Sequence, residues 1–431
     1  MVIWCFSGIF NFYLSISILF NCHQYYVDNS RIKSIWFQQL FSFQCLILTL
    51  IQTIKLMIRG IISFITAFLA VITCYAQPAF YKHLEGKVGN NINIVLDMVV
   101  TGEKLGGYYY YFFDDKSGDD AWTHYGKSMP VYGQISSSND FEFSEFDPEV
   151  KGAIFKGTLK DGIISGKWIN ADGKKQLPFT ATETYPLGTM AFRVVYMNDK
   201  TLLTGKANSP VASLNLSLLL PVDYPVDHVA DSVTAFVYED FFEKASPVTD
   251  PAILFNETRE QYFTNYKTSN ADIYQEGAAS FDWKKIKEMR ILHNEHEILS
   301  TECYNYGFTG GAHGLSVSKF RVIDLKDGHQ ISLGEIFREN YDNDLRDIIN
   351  FAARKKYNLE RNQSLVEAGF FSEFIDAGPN FYITKDGIGF YYNQYEIAPF
   401  ALGPIDIFVN YQELMRILNP ETPVFRLISP N

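Results

Sequence analysis

Between residues 80 and 185 the chain repeats one pattern that leaves few folds open: short alternating runs separated by tight-turn residues. Ile92, Ile94 and Leu96 alternate with Asn93, Val95 and Asp97. Phe141 and Phe143 alternate with Glu142 and Ser144. Further runs follow at 153–159, 163–169 and 177–182, with turn signals at Asp161-Gly162 and Asp172-Gly173. Neighbours in a strand face opposite sides, and Asp-Gly tolerates the positive φ of a hairpin turn. These residues are expected to form an antiparallel all-β domain. Four consecutive tyrosines, Tyr108, Tyr109, Tyr110 and Tyr111, would then send two side chains inward and two outward. The outward pair reads either as cover for a sheet face or as a platform for a sugar ring.

At 431 residues the chain exceeds a single core, since domains run to roughly 100–200 residues. Beyond about residue 188 strands and helices mix. Strands are expected at 191–196, 211–220 and 319–325, and two long ones within 283–308. Apolar residues at Val229, Val233, Phe236, Val237 and Phe241 have helical spacing. Further helices are expected within 251–274, 344–357 and 412–418. Ser332 with Glu335 three positions on reads as a capping box. A hairpin is expected over 380–393 and a short strand at 405–409. Without regular βαβ spacing, the fold class is α+β, an antiparallel all-β domain followed by a mixed two-part module.

The first 76 residues differ from the rest. Residues 61–73 carry no charge, follow Lys55, Met57 and Arg59, and lead into Cys74-Tyr75-Ala76. A basic start, a short apolar run and a small residue are the three parts of a secretory signal peptide. Residues 57–76 are therefore expected to be that peptide, cleaved after Ala76, with Met57 as the start. Residues 1–56 then read as upstream sequence from a mis-set start, or as a membrane segment. Thr73-Cys74 also loosely resembles a lipobox, which would anchor the chain through Cys74. The expected location is exported: periplasmic, outer-membrane-associated or secreted.

Export leaves Cys303 as the single cysteine, so no internal disulfide forms and cores alone must supply stability. A cysteine-based zinc site is excluded on the same count. The whole chain has 37 basic and 49 acidic residues, net −12; without the four basic and one acidic residue of 1–76 the net is −15. With no dense Lys/Arg stretch, a nucleic-acid partner is not expected.

Motifs for known chemistries are absent. There is no G-x-S-x-G elbow, Walker loop or strand-coupled G-x-G-x-x-G, and no cofactor is expected. His293 and His296 form H-x-x-H, but a helical zinc pair needs the spacing of H-E-x-x-H. They are read as solvated turn residues, and no metal is assigned. The most unusual stretch is Thr309-Gly310-Gly311-Ala312-His313-Gly314. Its glycines favour positive φ and expose backbone N–H groups, and His313 brings an imidazole, a side chain suited to acid/base work. The second is Tyr395-Glu396-Ile397-Ala398-Pro399-Phe400 with Gly403, where Glu396 stands among apolar residues. Gly310, Gly311, His313, Tyr395 and Glu396 are the candidate binding residues. His313 and Glu396 are the candidate acid/base pair if the two segments meet.

The run from Tyr306 to Gly314, followed by Asp324-Leu325, Gly328 and 333–337, resembles an uncharacterised exported-domain family. The 381–390 hairpin and 395–403 complete the pattern. That domain forms the outer part of the lysozyme-sensing anti-sigma factor of Gram-positive bacteria. Residues 188–290 resemble its usual companion, the PdaC-type domain named after a peptidoglycan deacetylase. Residues 80–185 resemble N-terminal segments of Bacteroidetes-type envelope proteins. The resemblance implies an exported α+β module, split at 188–290 and 291–420, that grips an envelope glycan, peptidoglycan or a lysozyme-like protein. It transfers no catalytic residue, because the deacetylase activity belongs to a separate domain. The leading expectation is non-enzymatic binding; the alternative is a cell-wall glycan hydrolase using His313 and Glu396. Mass spectrometry of the mature protein is expected to find Gln77 as its first residue. Acylated Cys74 would mark a lipid anchor instead, and Met1 would refute cleavage.

Overall fold

The computed structural model describes residues 79–115, 122–147, 150–206, 208–222, 224–244, 250–274 and 281–428, with Leu50, Ile51, Ile54 and Met57 in helix. Met1–Ala76 and Gln77–Asn431 are separate units. The expected cleavage site and Cys74 lie outside the described residues. Among these residues, no helix is long and apolar enough to cross a membrane.

The molecule is mixed α+β and mostly antiparallel sheet, and its N-terminal part is all-β. Nine strands make the first sheet: β1 (Ala79–Val88), β2 (Ile92–Thr101), β3 (Lys104–Asp115), β4 (Trp122–Tyr125), β5 (Met129–Ile135), β6 (Asp140–Phe146), β7 (Lys151–Lys160), β8 (Ile163–Ile169) and β9 (Gln176–Glu183). Their order is β2-β1-β9-β8-β7-β6-β5-β3-β4, and β2 also pairs with β3. Eight strands thus close into a barrel-like sheet that removes its own edges, with β4 appended to β3. The inside is filled by Leu84, Leu96, Met98, Phe143, Phe155 and Ile164, each at most 1% exposed, so it is a core and not a container. Phe143 and Phe155 stack with centroids 4.8 Å apart.

The second sheet runs β10 (Ala191–Leu202), β11 (Val211–Val222), β12 (Trp283–Glu295), β13 (Ile298–Phe308) and β14 (Leu315–Asp324). All neighbours are antiparallel except β11 and β12. That parallel pair needs a long crossover, supplied by α1 (Asp227–Phe242) and α2 (Pro251–Asn270). Val229, Val233, Val237 and Phe241 form the buried stripe of α1 and share a core with Leu254, Phe255 and Tyr266 of α2. Asp250 caps α2 by accepting from the Ala252 N–H at 2.8 Å, with Pro251 at the first helical position. Strand β14 starts at Leu315, four residues before the expected 319.

The third layer is β15 (Phe381–Ile383), β16 (Gly387–Tyr392) and β17 (Ile405–Asn410), covered by α3 (Leu333–Ile336) and α4 (Asp342–Lys356). The Ser332–Glu335 capping box forms. The helix expected at 412–418 is one turn, Tyr411–Leu414, because Ile417 and Leu418 turn inward to the core.

One buried charge cluster ties α1 to β14. Arg321 donates to Asp240 at 2.8 and 2.6 Å, and to Glu239 at 3.2 Å. Cys303 is buried beside it and donates to the Asp240 carbonyl at 3.3 Å; burial pushes its thiol up to about 12. Two outcomes follow. Asp240→Ala removes the buried partner and leaves Arg321 with Glu239 and Gln330, and is expected to cost about 1.5–3 kcal/mol in urea unfolding. Cys303 is expected to resist alkylation at pH 8 until denaturant is added, as read by peptide mapping.

Candidate functional site

Strand β14 is the edge of the second sheet, and its free backbone is bound by side chains of the third layer. The Phe320 N–H donates to Asn380 at 2.8 Å, and Asn380 donates to the Ser318 carbonyl at 2.9 Å. The Ser318 N–H donates to Asn393 at 2.8 Å, and the Ser316 N–H to Gln394 at 3.3 Å. These asparagines act as a substitute strand. They carry segment 393–400 up against the glycine loop that leads into β14.

There the His313 ring stacks on Phe400, centroids 3.7 Å apart and planes 18° apart. Tyr395 lies next to Phe400 at 5.8 Å. The Phe371 N–H donates to the Ile397 carbonyl, tying a neighbouring segment to this one. The result is a shelf of His313, Phe400 and Tyr395, with Tyr395 55% exposed. Gly310 and Gly311 hold φ of 97° and 94°, the left-handed region that favours glycine. Gly314 is different: a Cβ there would run into the Tyr306 ring.

The two sequence segments therefore meet, but Glu396 does not occupy the apolar setting expected for it. It is exposed, and it accepts from the Asn393 N–H at 3.0 Å and the Asn393 amide at 3.1 Å. Its carboxylate closes its own turn.

A second polar constellation lies where the barrel packs on β12. Tyr81, His83 and Glu85 occupy one face of β1, with Asp97 of β2 directly opposite His83. His83 and Asp97 join at 2.8 Å, and Tyr81 donates to the same carboxylate oxygen. Asn294 of β12 donates to the Tyr81 hydroxyl at 2.8 Å and to the Met190 carbonyl at 2.7 Å, and accepts from the Met190 N–H at 2.9 Å. A bulge at Leu292 resets the register of β12 just before these residues. Tyr110, one of the outward tyrosines, donates to Glu295. That pair is covered by β12, so the sugar-platform reading of Tyr110 is closed.

Burial opposes charge throughout this seam. It lowers His83, but the Asp97 carboxylate outweighs it and raises the imidazole to about 10. It raises Glu295 to about 7, against the pull of His83 and Tyr110. His293, read from sequence as solvated, is instead fully buried in β12, and burial with nearby Lys385 lowers it to about 3. Sequence reasoning missed the seam. Its only trace was the alternation Tyr81, His83, Glu85, indistinguishable from a wet strand face.

Two family models match parts of the chain. The family model for a protein of unknown function, DUF3298, matches residues 334–412. The family model described as deacetylase PdaC matches residues 213–316. No curated protein matches. A crystal structure of a DUF3298 family member from Bacteroides fragilis is similar at 25% identity and a TM-score of 0.51, over 57% of this chain and 99% of that one. A DUF3298 family protein from Pseudomonas aeruginosa aligns at 16% identity and a TM-score of 0.35, over 56% of this chain and 98% of that one. The Gly310–Gly314 loop falls at the end of the PdaC match, and Tyr395 and Glu396 fall inside the DUF3298 match.

Asn294→Ala leaves the buried N–H and C=O of Met190 unpaired. Each such group costs about 1–3 kcal/mol, so the urea midpoint is expected to fall markedly.

Proposed function

We propose that this is an exported cell-envelope protein that binds glycan without cleaving it, through the His313–Phe400–Tyr395 shelf. The stacking of exposed His313 on half-buried Phe400, beside exposed Tyr395, carries this reading. Sugar rings have apolar faces, and aromatic side chains offer large contact area at low entropic cost. The glycine loop, with Gly310 and Gly311 at positive φ, adds backbone N–H groups for hydroxyl oxygens. The PdaC match, from a deacetylase family, and the apolar run before Ala76 support an envelope setting.

The hydrolase reading gains no support from Glu396. A general acid at neutral pH needs a carboxyl held up by burial, whereas Glu396 is exposed and bonded to Asn393. The net charge of −12 favours a second reading, a basic lysozyme-like protein drawn in by electrostatic steering.

Sedimentation with purified peptidoglycan is the test. The wild type is expected to co-sediment at both low and high salt, and Phe400→Ala or Tyr395→Ala to weaken retention about tenfold, equivalent to about 1.4 kcal/mol. Equal retention of all three would sink the shelf as the glycan site. Lysozyme capture at low salt that vanishes at high salt would favour the protein partner instead. Release of reducing ends from the wall by the purified protein would overturn the non-catalytic reading.

A further inference from the structure

We propose that His83, Glu85 and Glu295 bind one divalent transition-metal ion of the zinc type at the seam between the barrel and β12. The ligand atoms of these three residues lie within 4.8 Å of one another. His83 Nε2 and Glu85 Oε1 are 3.7 Å apart. A tetrahedral ion with bonds of about 2.1 Å sets its ligands roughly 3.4 Å apart, so the His83–Glu85 pair is nearly at that spacing and the triad as a whole closes in from at most 4.8 Å. Glu85 can supply that movement, since its side chain is 40% exposed.

The second observation is the state of His83. The residue is 0% exposed, and its Nε2 has no partner within hydrogen-bond distance, Glu85 standing 3.7 Å away. A buried ring nitrogen without a partner is costly. This one is aimed at carboxylates, and its other nitrogen is held by Asp97 at 2.8 Å. Carboxylate on one nitrogen and metal on the other is the arrangement that fixes the tautomer of a ligating histidine. The support extends outward: Tyr81 donates to Asp97, Asn294 to Tyr81, and Tyr110 to Glu295. Every proposed ligand except Glu85 is thus oriented by a neighbour, and Glu85 opens the fourth position to solvent.

The donor set selects the ion. One imidazole and two carboxylates suit zinc or a neighbouring first-row ion. Calcium and magnesium prefer six or more oxygens and have no use for an imidazole. The ion would clasp strands some 200 residues apart in sequence, so its role is to lock the barrel onto the second sheet, independent of glycan binding at the shelf.

The test uses the purified protein, stripped with EDTA, loaded with zinc and desalted, with bound metal read by plasma mass spectrometry and stability by thermal shift. The wild type is expected to retain about one zinc per chain and to melt higher when loaded, because an ion that binds only the folded state stabilises it. Glu85→Gln, at the open edge, and Glu295→Gln are each expected to weaken retention at least tenfold. Glu142→Gln, on the far side of the barrel, serves as control and should match the wild type. Retention well below one equivalent by the wild type would overturn the proposal, the cluster then being a protonated imidazole paired with acids. Unchanged retention in either Glu85→Gln or Glu295→Gln would overturn it equally, placing the ion elsewhere.

Discussion

The architecture depends on a short hydrogen-bonded chain across a dry seam: Asn294 to Tyr81, and Tyr81 with His83 to Asp97. Every member is under 9% exposed. In such surroundings a polar group is strongly penalised unless it is paired, so the network fixes one docking geometry where an apolar face would accept several. Asn294 also grips both backbone groups of Met190, at the start of the second sheet. A single amide therefore connects the barrel, the segment leaving it and the hairpin of β12 and β13.

Local structure was legible in the sequence wherever one element faced one core. Phe141 and Phe143 alternate into the barrel, and Val229, Val233 and Val237 line one side of α1. The capping residues Ser332 and Glu335 announced a helix start. Illegible features share a cause: contact with a distant second layer. His83 and Asp97 look like the wet side of a hairpin until β12 covers them. His293 looks like a turn residue because the bulge at Leu292 and the packing of Lys385 have no local signature. Closure of β2 on β3 is invisible for the same reason, since alternation states which residues face inward and not which strands meet.

The candidate shelf shows the same division. The odd composition of 309–314 and 395–403 marked both segments, and the structure brings them together through Asn380, Asn393 and Gln394, residues no motif singled out. The role of Glu396 was misjudged because flanking apolar letters were taken for a burial environment. Ala398 does point into the core, while Tyr395 and Glu396 point away from it.

The filled barrel has a consequence for how the chain is made. Among the described residues its strands pair only with one another, and all of them precede β12 by about a hundred residues of chain. It can close early and must then wait with its docking face wet. Were that face greasy throughout, the waiting form would stick to its neighbours. An imidazole and two carboxylates keep it hydrated in the interval, so the groups that later make the seam selective first serve as a shield for a half-synthesised molecule.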